Sequence, residues 1–305
     1  MVSINVLVIT YNQHDVISRA LDSVLCQKEW GLNEIVICDD NSTDSNWDVL
    51  QSYVEKYPQH IRAYRNEKNL GIYGNLEKAI ELKGDADYYV MLSGDDAFCE
   101  GFFMNAQNFI KEREFDSEQE SPIIATAFMA TSPDGKTRVF KNSAFARNQQ
   151  LFRLKYRNMV STRGMLISKN VIDRYQKIDD KHNLVLTEEL CDIQFFMNAD
   201  KGYYIPFVAS TYYSRIGVST KMKQDDYYRK YIEKYEKLLE LFDLCPKDRF
   251  YTMMKIHQYR YYISPSIKEF FLILKFFCLS YDVGLGINKM QFLISVRDII
   301  KQSFK

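Results

Sequence analysis

The 305-residue chain has no Cys-x-x-Cys pair and no histidine at zinc-ligand spacing. Its six cysteines, Cys26, Cys38, Cys99, Cys191, Cys245 and Cys278, are scattered, so neither a zinc site nor a disulfide framework is expected. They read as reduced, mostly buried thiols of a cytosolic protein. Net charge is missing as well. Forty Lys and Arg balance forty Asp and Glu, which gives no global attraction for nucleic acid. Long apolar runs are also absent: the longest, Phe270 to Leu279, is broken by Lys275 and falls far short of the ~20 residues that a bilayer-crossing helix needs. The segment Met1 to Thr10 carries neither a basic cluster nor a cleavage site, and is expected to be a first strand and not a secretion signal. No repeat and no low-complexity linker is visible.

What is present is an ordinary globular balance, 46% apolar and 26% charged, which argues against disorder. The length suits one large domain, or one domain with an appendage. Ile4–Ile9 reads as a strand, and Val16, Ile17, Ala20, Leu21, Val24 and Leu25 follow at helical spacing. Glu34–Cys38 is a second strand, with a helix beginning near Asn46. A third strand at Ile61–Arg65 leads to a helix at about Tyr73–Lys83, and Tyr88–Leu92 is a fourth strand. Four strand and helix alternations with near-continuous apolar strands predict a mostly parallel, Rossmann-like sheet covered on both faces. Ligands of such sheets bind at the carboxyl ends of the strands. Three polar loops, Thr10–Asn12, Asp39–Asp44 and Ser93–Asp96, fall on that one edge.

Beyond Gly101 the pattern is mixed, with strands near Ile123–Ala130 and Arg163–Ile167 and helices near Val171–Lys177 and Leu190–Asp200. From about Asp225 it is helical. The expected division is therefore 1–220 for the α/β domain and 221–305 for a helical extension. Residues 221–305 carry 16 basic and 10 acidic side chains, so the extension is basic.

Leu92-Ser93-Gly94-Asp95-Asp96 places two adjacent carboxylates at the mouth of a buried strand. A hard cation such as Mg²⁺ or Mn²⁺ takes one or two carboxylates and fills its shell from water and substrate phosphates. Gly94 lets the backbone turn tightly there. Gly and Asp are also ordinary turn residues, so this motif needs support from the rest of the chain.

That support comes from four motifs in order: Val8-Ile9-Thr10-Tyr11-Asn12, Ile37-Cys38-Asp39-Asp40-Asn41-Ser42-Thr43-Asp44, Asn69-Leu70-Gly71 and Leu92-Ser93-Gly94-Asp95-Asp96. Over about residues 3–220 the chain resembles the family 2 glycosyltransferases of GT-A fold, in particular those that build bacterial surface polysaccharides. The resemblance implies an inverting, metal-dependent hexosyltransferase that uses a nucleotide-sugar, UDP-linked in the first instance. It assigns Thr10, Tyr11 and Asn12 to base and ribose and Asp39 to the base ring, and groups Asp40, Asn69 and Gly71 with the nucleotide site. The chemistry agrees, since a carboxylate can accept the uracil ring N–H and a Tyr can stack on its face. The lesser alternative is that Asp39 to Asp44 merely cap a helix, Asp40, Ser42 and Asp44 more readily than Asp39. Asp96 is implied as chief ligand of Mn²⁺ or Mg²⁺, and Asp95 as its partner toward ribose, metal or diphosphate. Many family members have a further Asp where this chain has Ser93, so the division of roles between Asp95 and Asp96 stays open.

Transfer also needs a base for the acceptor hydroxyl. Thr187-Glu188-Glu189-Leu190-Cys191-Asp192-Ile193-Gln194-Phe195-Phe196 resembles the segment that carries it, with Asp192 the first choice and Glu189 and Glu188 next. Acidic residues opening a helix are also stabilised by its dipole, whatever their function. Arg215 stands near where relatives often carry a His.

Residues 251–305 contain eleven Phe and Tyr and eight Lys and Arg against three acidic residues. Such helices can pack onto the catalytic domain or lie in a membrane interface. The implied partners are a nucleotide-sugar donor and a saccharide acceptor, lipid-linked if the tail meets membrane; the implied location is the cytoplasm, at the inner face of the membrane in that case. Two rival classes are a nucleotidyltransferase and a non-catalytic nucleotide-sugar-binding scaffold. The first should have a Gly-rich, basic loop after its first strand to clamp a triphosphate, and Thr10-Tyr11-Asn12-Gln13-His14 is not one.

Overall fold

A computed structural model of the chain describes residues 1–115, 120–142, 161–178, 188–214 and 223–280. The described residues up to Ser214 form one compact unit and those from Lys223 form another.

The first unit begins with strand and helix in alternation: β1 (Ile4–Thr10), α1 (Ile17–Leu25), β2 (Leu32–Asp39), α2 (Asn46–Lys56), β3 (Ile61–Arg65), α3 (Gly71–Glu81) and β4 (Tyr88–Ser93). These strands lie parallel in the order β3-β2-β1-β4. Periodicity explains the helices. Ile17, Ala20, Leu21, Val24 and Leu25 recur on one face of α1, and all are buried. They pack with Ile4, Val6 and Val8 of β1 in the main core. The two faces of β1 are both covered, which is why its sequence is a continuous apolar run and not an alternation.

After β5 (Ala97–Phe98) and α4 (Phe102–Arg113) the sheet continues through β6 (Pro122–Thr131), β7 (Thr137–Phe140), β8 (Leu166–Ser168) and β9 (Lys201–Tyr213), with the short α5 (Lys169–Asp173) and then α6 (Glu188–Asn198) between β8 and β9. In this half β8 runs antiparallel to both β4 and β6, while β6 and β9 are parallel to each other. The result is one mixed sheet, parallel at its amino-terminal end and flanked by helices. Strand β9 was not evident from the pattern. Its register against β6 slips between Ile205 and Val208, around Pro206, which has no N–H to give to the ladder, and the bulge there breaks the alternation.

The second unit is helical: α7 (Gln224–Leu241), α8 (Pro246–Ile263) and α9 (Ile267–Ser280). Tyr228, Tyr231 and Tyr235 of α7 stack with Tyr259 of α8 at ring-centroid distances of 4.8 to 6.1 Å. The apolar run Phe270–Leu279 lies within α9, and among the described residues no helix is long and apolar enough to cross a membrane.

None of the six cysteines is in a disulfide, but the expectation that most are buried needs correction. Only Cys38 and Cys191 are buried, Cys99 is half-buried, and Cys26, Cys245 and Cys278 are exposed. The exposed ones follow the end of α1, precede α8 and lie on the outward face of α9, where no core surrounds them.

Candidate active site

Parallel pairing brings the polar loops together. Thr10 lies opposite Asp39 and Ile9 opposite Ser93, so the carboxyl ends of β1, β2 and β4 share one edge of the sheet. Asn12 adopts a left-handed backbone (φ +52°), as does Asn41 (φ +58°), a conformation that Asn tolerates better than most residues. The Asn12 N–H donates to Ser42 Oγ at 2.9 Å, and its Oδ1 accepts the Thr43 N–H at 2.7 Å. Between them, Tyr11 is left 38% exposed at the loop tip, with a ring face available to a planar ligand. Thr10 is buried, its hydroxyl donating to Gln13 Oε1 at 2.8 Å.

Asp39 and Asp40 both face inward. Asp39 accepts from Ser42 Oγ at 2.5 Å, from the Ser42 N–H at 3.0 Å and from Asn46 Nδ2 at 2.8 Å, and Arg65 Nε is 3.5 Å away. Asp40 Oδ1 accepts from Asn66 Nδ2 at 2.9 Å and from the Leu70 N–H at 2.7 Å. Asp40 therefore fastens the Asn66–Leu70 loop to the edge of β2. The exposed Asn69 takes the Gly71 N–H at 3.0 Å, and Gly71, at φ +74°, opens α3. Asp44, one residue ahead of the N-cap Ser45, accepts the Asn46 N–H at 3.0 Å, a turn just before α2, and also the His14 ring at 2.8 Å. Burial works to raise the Asp44 carboxyl, but His14 and two backbone N–H groups outweigh it and hold it below the usual range.

Asp95 and Asp96 are buried side by side. Burial pushes the Asp95 carboxyl up; burial together with the neighbouring Asp95 pushes Asp96 up to about 6. Two arginines temper this. Arg19 Nη2 donates to the Asp95 carbonyl at 2.5 Å with its guanidinium 3.6 Å from the centre of the Tyr213 ring, and Arg163 Nε lies 3.7 Å from Asp96 Oδ2. The Tyr213 N–H donates to Asp96 Oδ1 at 3.2 Å. Gly94 leaves no room for a side chain unless its neighbours shift: a Cβ there would meet Gln13 Oε1 and stand 2.8 Å from Ile17 Cδ1 and 2.9 Å from Thr10 Oγ1.

Among the described residues, no three His, Cys, Asp or Glu side chains gather as a metal-ligand set. A cation at Asp95 and Asp96 would therefore find these two carboxylates among the described residues and fill its shell from water and phosphate oxygens, as Mg²⁺ commonly does. The pair fits that arrangement: two adjacent buried carboxylates offer hard oxygen donors just beyond the end of β4.

The segment beginning at Glu188 forms α6. Glu188 and Glu189 stand in its first turn and Asp192 one turn further on. Asp192 is buried, and its Oδ2 accepts from Thr162 Oγ1 at 3.1 Å. Thr162 and Arg163 are consecutive, so one dipeptide touches both Asp192 and Asp96. Neither residue stood out in the sequence, and nor did Arg19; their partners are far away along the chain and no local motif marks them. Arg215 lies outside the described residues.

The comparisons agree with this architecture. The model of the family described as Glycosyl transferase family 2 matches residues 5–174, more than half of the chain, and the chain belongs to that family. A poly(ribitol-phosphate) beta-glucosyltransferase of Bacillus spizizenii is 31% identical over 114 residues, 37% of this chain and 18% of that protein. The Escherichia coli UDP-Glc:alpha-D-GlcNAc-diphosphoundecaprenol beta-1,3-glucosyltransferase WfaP is 26% identical over 136 residues, 43% of this chain and 52% of that protein. The chain thus spans about half or less of the length of the curated relatives it matches. Among solved structures, residues 1–349 of S. aureus TarS in complex with UDP-GlcNAc superpose with a TM-score of 0.60 at 15% identity, covering 99% of this chain and 91% of that one. The fold is GT-A, with a helical carboxyl-terminal region.

Proposed function

We propose that the protein is a metal-dependent, inverting glycosyltransferase that moves a hexosyl group from a UDP-sugar to a lipid-linked saccharide acceptor in cell-surface glycan synthesis, working at the cytoplasmic face of the membrane. The observation that carries this reading is the Thr162-Arg163 dipeptide, which ties the carboxylate suited to be the base to the carboxylate suited to the metal. Family membership supports the chemistry, and the UDP and UDP-GlcNAc complexes of TarS support the choice of nucleotide. The name of WfaP supports a lipid-linked acceptor.

In this reading Tyr11 stacks on uracil and Asn12 orders the loop around it. Asp39 supplies an acceptor for the ring N–H, while Asp40, through Asn66 and Leu70, holds the loop of Asn69 and Gly71 at the rim of the site. Asp96, with Asp95, would hold Mn²⁺ or Mg²⁺, which supplies charge neutralisation for the departing diphosphate. Asp192 takes the proton of the acceptor hydroxyl as that oxygen bonds to the anomeric carbon. The bond from the anomeric carbon to the diphosphate oxygen breaks, its electron pair leaves with UDP, and attack opposite the leaving group inverts the configuration. Asp192 then gives its proton to solvent. Glu189 and Glu188 remain the next candidates for the base.

Calorimetric titration with UDP, GDP, CDP and dTDP, each with Mn²⁺ and with EDTA, tests the reading. UDP should bind only with the metal, and Asp96→Ala should abolish binding. Asp192→Asn should keep UDP binding and lose turnover. If no diphosphate binds at millimolar concentration, the proposal is wrong.

A further inference from the structure

Arg163 takes no chemical step in the scheme above, yet its guanidinium faces Asp96, as that of Arg19 faces the neighbouring Asp95 carbonyl. Its Nε is 3.7 Å from Asp96 Oδ2, within ion-pair range but too long for a hydrogen bond. Its guanidinium lies 4.2 Å from the centre of the Tyr212 ring and 5.6 Å from that of Phe128, and Phe128 stacks on Phe140 at 4.9 Å. The backbone on either side is fastened. Asn142 bonds the Ser161 N–H and carbonyl at 2.9 and 3.1 Å, and Thr126 Oγ1 donates to the Gly164 carbonyl at 2.9 Å. The side chain itself is 42% exposed. A pinned backbone thus carries an exposed, loosely paired cation set against two aromatic rings.

Two adjacent buried carboxylates need a counter-charge. Resting on the reading above, we propose that Arg163 is the internal counter-cation of Asp96 in the unliganded protein, that the metal displaces it, and that it then pairs with the donor diphosphate. The aromatic faces of Tyr212 and Phe128 hold a guanidinium favourably along its path. Its planar fork suits phosphate oxygens, to which it can bond in bidentate fashion.

The test is Mn²⁺ binding, followed by the electron paramagnetic resonance of the free ion, for wild type, Arg163→Gln and Arg163→Lys, without and with UDP. With the competitor gone, Arg163→Gln should bind Mn²⁺ alone about fivefold more tightly, the upper range for a half-exposed ion pair. Its affinity for UDP in the presence of Mn²⁺ should instead fall about tenfold, the loss of a charged hydrogen bond. Arg163→Lys keeps the charge and should bind Mn²⁺ alone as wild type does, which also guards against a folding defect. If wild type binds UDP with Mn²⁺ while Arg163→Gln binds Mn²⁺ alone no more tightly than wild type, the counter-cation role is overturned and the transferase reading stands. If wild type binds neither Mn²⁺ nor UDP with Mn²⁺, both fall.

Discussion

The Thr162 hydroxyl donates to the Asp192 carboxylate at 3.1 Å across thirty residues of sequence. A hydrogen bond to the ionised form of a carboxyl favours that form and fixes its orientation. With Asp192 as base, Thr162→Val should lower turnover about tenfold, as the loss of one hydrogen bond to a charged group does. Thr162→Ser should restore the rate, and Thr162→Val should leave the affinity for UDP with Mn²⁺ as in wild type. The check is the rate of UDP release from the UDP-sugar beside the UDP affinity. Equal turnover of Thr162→Val and wild type would remove Thr162 from the positioning of Asp192.

Asp96 makes the site sensitive to acid. Its carboxyl titrates at about 6, against about 3.9 in an unfolded chain. Because the folded value is raised, the stability linked to this proton is fully present below about 3.9 and lost as pH rises through about 6. Binding runs the other way, since a metal needs the carboxylate. Affinity for UDP with Mn²⁺ should therefore be level above pH 7 and fall about tenfold per unit below 6, the slope of one proton. Titrations between pH 5 and 8 measure it; an unchanged affinity at pH 5 would remove Asp96 from the metal shell.

Asp40 offers a contrast between holding a loop and holding a ligand. Asp40→Ala would leave the Leu70 N–H and the buried Asn66 amide without the acceptor they now share, at a cost of about 2–3 kcal/mol to stability. Urea unfolding should show that loss. UDP affinity should drop with the loop, and a variant of full stability but no UDP binding would mean that Asp40 contacts the nucleotide directly.

These cases show which parts of the molecule were legible in its sequence. The edge of β1, β2 and β4 was, because continuous β-branched runs followed by polar loops report a parallel sheet locally, and its pairing brings Thr10, Asp39 and Ser93 together. The internal ties of Asp39 to Asn46 and of Asp40 to Asn66 were harder to see, since capping and ligand binding use the same side chains. Arg19, Thr162 and Arg163 were invisible: each has its partners far along the chain, Arg19 at Asp95 and Tyr213, Thr162 at Asp192 and Arg163 at Asp96 and Tyr212, and Tyr212 and Tyr213 belong to a strand whose alternation Pro206 interrupts.

The basic, aromatic tail leads to the last prediction. On α9, Ile267, Phe271 and Leu279 are 78%, 63% and 44% exposed, and Lys268 and Lys275 are exposed on the same helix. Ile273 and Phe276 point the other way and are buried, so one face packs within the helical unit while the other presents apolar groups flanked by cations. That composition suits an anionic lipid surface, where each cation contributes about 1 kcal/mol. Wild type should sediment with vesicles rich in phosphatidylglycerol and much less with pure phosphatidylcholine. Replacing both Lys268 and Lys275 by Gln should weaken that binding about thirtyfold, the equivalent of about 2 kcal/mol, and Phe271→Glu should weaken it further. UDP affinity in solution should be unaffected by all three changes. Equal sedimentation of wild type and the double Gln variant would show that α9 does not meet membrane through this face.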